Sequence, residues 1–473
     1  MHLKPDDESD TYSDFLQQWK LSLLIKKYSN YIRWPIRMDV EHSDYQDTGK
    51  KDDKGEPVFE TVRTVARETQ NSMVPIWQRA KADVSDEDCA AFYKDKFHDS
   101  TDPAAVIRIS AEGQVSYKAL LFIPGRQLFD YMTADYEPGL QLFSSGVMIM
   151  EKCADLLQES YYFVRGVVDS PDLSLNISRE MLQHDRQLRI IAQSLNKRIR
   201  SELLKMLEND RPKYEKFYEN FGKQLRYGAV AGYGQAVEPM RELLLYKVAE
   251  DKTATLAEYV SNMPSDQKFI YYALGDSVTK ILRLPQADLV RAKGYEILCL
   301  SEEVDEFIIE RLGAQDDKKF CNIVTGDLGL ETEEEKAGIE KKEAEAKAVL
   351  DFAKQTLGDR VEAVRLSHKL LSAPVCLTTE GEVTLEMERY FRRLPQMPGM
   401  EPPRARRILE LNADHPAFKA LETALAADSE KAAKLIEVLH SQALLIAGEA
   451  LEDPAAYAET VCSLFNFILG EHM

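Results

Sequence analysis

Residues 164–185 read VRGVVDSPDLSLNISREMLQHD and set a strand directly against a helix. The first part, within YYFVRGVVD (161–169), is β-branched and aromatic and runs into turn residues, which predicts a strand. Ser178 is a candidate N-cap. Beyond it Leu182, Ile190, Ile191, Leu195, Ile199, Leu203 and Leu207 keep a period near 3.6, which predicts a long helix from Arg179 to Glu208. Arg179 then sits in the first turn, where a cation faces the positive end of the helix dipole at a cost of about 0.3–1 kcal/mol. Two anions could answer it. Glu180 offers a local ion pair; a phosphate from elsewhere would meet the planar donor fork of a guanidinium. Gln183 lies four residues on, on the same face.

Working outward, residues 13–29 form a predicted helix in which Phe15, Trp19 and Leu23 recur every four residues, widened by Leu16 and Leu24. Residues 47–57 read as a polar loop, and 106–113 and 117–124 as strands of a hairpin closed by EGQ. Helices are expected to continue to about 248, with the glycines of RYGAVAGYGQ making a turn. A smaller alternation follows: helix 264–274, helix 276–283, strand 295–300, helix 301–312. Residues 331–347 carry seven Glu and four Lys and read as a solvated linker helix. Strands are expected near 361–366, 374–379 and 383–386. A Pro- and Met-rich loop (394–403) and three helices close the chain.

The last two helices carry a wide apolar stripe. Leu435, Leu439 and Ile446 share one side of the first; Val461, Leu464, Phe465 and Ile468 share one side of the second. Asp453 before Pro454 is an N-cap followed by a first-turn proline. Such a hairpin can pair with a second copy in a four-helix bundle or pack on its own domain; the pattern allows both.

Composition excludes several functions. Sixty basic against eighty acidic residues give a net charge of −20, which repels phosphate backbones and argues against a nucleic-acid binder. No apolar run reaches membrane-span length, and the N-terminus lacks a signal-peptide pattern, so neither a membrane nor secretion is expected. Six scattered Cys, none in CxxC spacing, read as reduced cytoplasmic thiols. The eight His are dispersed, so no metal site is expected, and no P-loop, HExxH or GxSxG is present.

The stretch 163–189 closely resembles the signature of the ninety-kilodalton heat-shock protein chaperones, in their bacterial form. KKYSNYIRWPI (26–36), NSMVPIW (71–77), LLFIPGRQLFDY (120–131), DQKFIYYALGDS (266–277), KGYEILCLSEEVDEF (293–307) and ILELNADHP (408–416) are similar to family landmarks in family order. The resemblance implies a mixed α/β and α+β chain: an αβα-layer middle domain, then an α+β C-terminal dimerisation domain ending in a helical hairpin. It assigns 1–12 to the end of an N-terminal ATP-binding domain and 13–210 to a large middle subdomain. Connecting helices take 211–248, a small middle subdomain 249–330, the charged linker helix 331–347, and the dimerisation domain 348–473. It implies a stress-response chaperone that binds non-native clients as a homodimer. ATP and Mg are held by the N-terminal domain, so this chain alone is expected to bind neither and to be no enzyme.

By the same resemblance, Arg179 reaches the terminal phosphate of that ATP and Gln183 assists. Client contact falls to Glu306 and Phe307, to Val383, Met387, Tyr390 and Phe391 of EVTLEMERYFRR (382–393), and to Trp77. On the residues alone, any of these aromatics could equally be core. The ending LFNFILGEHM differs from the MEEVD tail of eukaryotic relatives, so co-chaperones that dock on that tail are not expected. The alternative reading is an ATP-independent scaffold or holdase dimer on the same fold, with Arg179 in a plain ion pair.

Overall fold

The computed structural model describes residues 4–6, 11–51, 57–127, 131, 133, 135–173, 186–325, 327–381, 383–393 and 402–470, with the side chains of 44–60, 333, 336 and 466–470 left out. The chain forms two compact units, Met1–Gly228 and Ala229–Met473.

In the first unit a 3-10 turn at Tyr12–Leu16 leads into α1 (Gln18–Tyr28). Strands β1 (Arg37–Lys51) and β2 (Pro57–Thr69) then pair antiparallel, from Arg37↔Thr69 out to Lys51↔Pro57. The stretch read as a loop at 47–57 is therefore strand at both of its ends. Polar side chains do not prevent pairing, because the ladder is made by the backbone. The Gln18 amide bonds the N–H and C=O of Glu41 at 2.8 and 3.4 Å and ties α1 to β1. The stripe on this segment remains open: Phe15, Leu16, Trp19 and Leu23 are all exposed.

Helix α2 (Asp86–Phe97) opens on a capping box between Ser85 and Asp88. The strands that follow are β3 (Ala105–Ala111), β4 (Tyr117–Ile123), β5 (Leu140–Ser144), β6 (Val147–Cys153) and β7 (Arg165–Asp169). They form one sheet in the order β3-β4-β7-β5-β6. Leu120 and Phe122 of β4 face a cluster with Cys89 and Tyr93 of α2. The alternate residues point the other way, and there Tyr117 donates to Ser194 of α3 (Arg186–Asn209) at 2.7 Å. Helices thus cover both faces, which is the expected αβα layering. Leu188, Ile191, Leu195, Ile199, Leu203 and Met206 form the buried stripe of α3.

Helix α4 (Arg211–Gly234) holds Gly228 so close to the backbone of Ser160 that a Cβ there would lie 2.2 Å from its nitrogen. At Ala231–Gly232–Tyr233 the backbone leaves the helical region, with φ of 58° at Gly232 and 62° at Tyr233.

The second unit continues with α5 (Val237–Met240), β8 (Tyr246–Ala249), β9 (Lys252–Ala254), α6 (Leu256–Asn262), β10 (Ile270–Leu274), α7 (Val278–Leu282), α8 (Ala287–Ala292), β11 (Leu298–Leu300), α9 (Asp305–Leu312), β12 (Ala314–Gln315) and β13 (Lys318–Asn322). The sheet order is β12-β13-β10-β11-β8-β9, with β10 parallel to both β11 and β13. Two expectations are corrected here. The helix foreseen at 264–274 is strand over Ile270–Leu274, and helices end before Tyr246–Ala249. Strand β10 is central and buried along its whole length, so its apolar run lacks the alternation that marks a half-exposed strand.

Helix α10 (Glu333–Leu357) begins at the Thr332/Glu335 capping box. Its charged first half runs without a break into a second half whose Ala346, Val349, Ala353 and Leu357 enter a core. That core also holds β14 (Ala363–Leu366), β15 (Val375–Glu380), α11 (Leu385–Arg393), β16 (Arg406–Leu411), α12 (Pro416–Ala427) and α13 (Ser429–Ile446). The three strands order as β14-β16-β15. The strand expected at 383–386 is instead the start of α11, where Thr384 accepts the N–H of Met387 at 3.1 Å. Helix α14 (Pro454–Gly470) is N-capped by Asp453, as expected, through Ala455 and Ala456 at 3.0 and 2.9 Å. Five of the six cysteines are buried; Cys462 on α14 is exposed.

Candidate functional site

The sequence-predicted residues around 306 and 387 meet. Thr384 donates its hydroxyl to the carboxylate of Glu306 at 2.8 Å, across 78 residues of sequence. That hydroxyl also caps α11, so one side chain fastens the start of α11 to α9. Phe307 and Tyr390 touch edge to face, with centroids 5.4 Å apart, and Phe391 lies 5.9 Å from Tyr390. Phe307, Val383, Tyr390 and Phe391 are half-buried. Met387 is buried, because α11 turns Leu385, Met387 and Glu388 inward. Of the four residues of 382–393 expected to meet clients, Met387 is therefore turned away from the surface.

Glu306 is almost wholly buried, and burial pushes its carboxyl up to about 7. The Glu386 and Glu310 carboxylates push the same way, while hydrogen bonds from Thr384 and Asn322 oppose the rise. Two hollows flank the Phe307–Tyr390 contact. One, of about 550 Å³, is lined by Val230, Tyr233 and Val237 as well as by Phe307, Tyr390 and Phe391. The other, of about 150 Å³, is lined by five carboxylate residues and two arginines.

Around the buried carboxylate of Glu388 on α11 lies an ionic network that sequence reasoning missed. Glu388 accepts from Arg407 at 3.3 Å, from the N–H of Ala405 at 3.0 Å, and from Arg392. Glu449 joins Arg407 at 3.3 Å and Arg389 at 3.4 Å. The i,i+4 pair Glu388–Arg392 was legible in EMERYFRR; the long-range partners were not.

Other expected site residues fall elsewhere. Trp77 is a core residue: it packs on Tyr31 and Phe143 and donates its indole N–H to Asp169 at 3.1 Å, which leaves little ring for a partner. Arg179 and Gln183 lie outside the described residues. Of the residues expected to dimerise, Leu439 is buried and Leu435 packs against the unit's own core. Their half of α13 is used internally, because the stripe is wide enough to need a neighbour within the domain. Ile446 and Phe465 are exposed, and Val461 and Leu464 are half-buried; the side chain of Ile468 lies outside the described ones. Among the described residues no cluster of His, Cys, Asp or Glu is placed to hold a metal, and no helix is long and apolar enough to cross a membrane.

The chain belongs to the Hsp90 family: residues 39–472 match the family described as Hsp90 protein. Chaperone protein HtpG of Bacillus subtilis (strain 168) is 44% identical over 465 residues, covering 98% of this chain and 72% of that protein. Chaperone protein HtpG of Clostridium perfringens (strain 13 / Type A) is 44% identical over 467 residues, 98% and 73% of the two chains. That of Alkaliphilus oremlandii (strain OhILAs) is 45% identical over 465 residues, 98% and 72%.

Proposed function

We propose that this chain is the middle and C-terminal portion of an ATP-dependent chaperone that captures non-native protein segments where α9 meets α11. The observation that carries this reading is the convergence of Phe307, Tyr390 and Phe391 on one hollow. Half-buried aromatic rims over an inward-facing Met are adaptable contacts for varied apolar side chains. Dimerisation falls to the apolar surface left open on the terminal hairpin, namely Ile446, Val461, Leu464 and Phe465. Arg179, assisted by Gln183, stabilises charge on the terminal phosphate of an ATP held with Mg by a nucleotide domain, an electrostatic role suited to a guanidinium.

The test is addition of the isolated nucleotide domain in trans with ATP. Hydrolysis should rise, and the rise should vanish in Arg179→Ala. No stimulation by the wild-type chain would favour an ATP-independent holdase dimer instead. Client capture is read separately, as suppression of aggregation of a denatured protein, which Phe307→Ala should weaken.

A further inference from the structure

Strand β3 stands at one end of the order β3-β4-β7-β5-β6, with no strand on its outer side. At the other end of the sheet α1 reaches β6, where Lys27 pairs with Glu151 at 2.7 Å. Among the described residues no backbone group of Ala105–Ala111 bonds any segment but β4. An antiparallel strand directs the N–H and C=O of every second residue away from its partner, so an open edge is a row of donors and acceptors left to solvent. Soluble proteins commonly blunt such an edge with a proline, a bulge or a charged side chain. Strand β3 holds no proline, and its register runs unbroken from Ala105↔Ile123 to Ala111↔Tyr117. Its one charged residue, Arg108, is tied to α2 instead: the guanidinium donates to the carbonyl of Ser85 and to the sulfur of Cys89, each at 2.9 Å.

A groove of about 910 Å³ lies along Ala104–Arg108, lined by α2 on one side and by α3 with the start of α4 on the other. The small side chains of Ala90, Ala104 and Ala105 line it and let a backbone come close. Several of its charges are already matched. Asp86 stands 3.8 Å from Arg108, Glu202 3.9 Å from Lys205, and Asp102 pairs with Lys94 at 2.8 Å. Asp210 accepts the N–H of Lys213 at 3.2 Å. Among the described residues Lys81, Arg198 and Lys213 of this groove have no ion-pair partner, while Glu87 is its one carboxylate with neither an ion pair nor a hydrogen bond. Free cations are therefore in excess here, on a chain whose net charge is −20, and Arg198 and Lys213 both stand on the α3–α4 side.

We infer that β3 is a docking edge for an extended protein segment, which adds a sixth strand to this five-stranded sheet and carries acidic side chains on the face turned to α3. Main-chain bonds to β3 supply the hold, and alternate side chains supply the selection. Side chains of an added strand point by turns to the α2 face and the α3 face, so one set meets Arg198. This edge belongs to the first unit, whereas Phe307 and Tyr390 belong to the second. The inference therefore stands apart from the client-binding reading above.

The test uses the full chain and labelled peptides matched in length to β3, one alternating valine with glutamate and one alternating valine with lysine. Fluorescence anisotropy at low salt should show the glutamate peptide binding about three- to fivefold more tightly, the scale of one exposed charge contact. Arg198→Glu should remove that preference. Two N-methylated forms of the glutamate peptide separate strand addition from side-chain binding. Methyl groups on one set of alternate amides should weaken binding about tenfold or more, because several backbone bonds are lost; those on the other set should leave it nearly unchanged. Amide hydrogen exchange across Ala105–Ala111 should slow when the glutamate peptide is added. No binding of that peptide, binding that withstands both methylations, equal affinity for the two charge types, or unchanged exchange in β3 overturns the inference. So does binding that is lost in Phe307→Ala, which assigns the peptide to the other site and leaves the client reading standing.

Discussion

Glu306 and His440 show how two buried titratable groups set opposite pH trends in one unit. The Glu306 carboxyl is pushed up to about 7 by burial, above its ordinary value. A group raised in the folded state contributes stability below its unfolded pKa and loses it as pH climbs through the folded value. Between about pH 4.5 and 7 that loss is on the order of 3 kcal/mol. His440 is buried too, and burial, helped by Arg360 and Arg407, lowers it to about 4. Its contribution is present above about pH 6.5 and is lost as pH falls toward 4, again on the order of 3 kcal/mol. The two slopes oppose each other from about pH 4.5 to 6.5. Each substitution exposes the other slope. Urea melts of Glu306→Gln should show stability that rises with pH across this window; melts of His440→Leu should show it falling. Parallel pH profiles for the two variants would contradict both assignments.

At the scale of elements, Gly228 and the start of α11 matter most. A Cβ at 228 would lie 2.2 Å from the backbone nitrogen of Ser160, so α4 must move to accept even alanine. Gly228→Ala should lower stability by about 1–3 kcal/mol despite the better helix propensity of alanine, seen as a drop in Tm without loss of helical circular dichroism. Elements with one buried face were legible from sequence, as α3 and β3 show. Strand β10 was not, because FIYYAL is apolar on both faces and its period carries no information. Residues 383–386 misled for a different reason: Val383 and Thr384 are β-branched, but the Thr384 hydroxyl caps a helix. The site followed the same logic. Glu306, Phe307 and Tyr390 could be named one by one, whereas the Glu388–Arg407–Glu449 network depends on contacts between distant segments.

At the scale of the whole molecule, association should track the apolar surface that the second unit leaves open. Leu445, Ile446 and Phe465 are exposed at the chain's last two helices. Ile446→Glu/Phe465→Glu should give a folded monomer by light scattering, with an unchanged far-ultraviolet spectrum, because neither side chain belongs to the unit's core. Leu439→Glu should instead unfold the unit, since Leu439 is one of its buried residues.

The cysteine distribution carries a practical consequence. With five thiols sealed inside and only Cys462 open on α14, a maleimide dye under native conditions attaches at one position. Wild-type protein can therefore carry a single donor or acceptor fluorophore without cysteine removal. Energy transfer between two such copies would report subunit exchange in real time, and a second wave of labelling would time the opening of the interior.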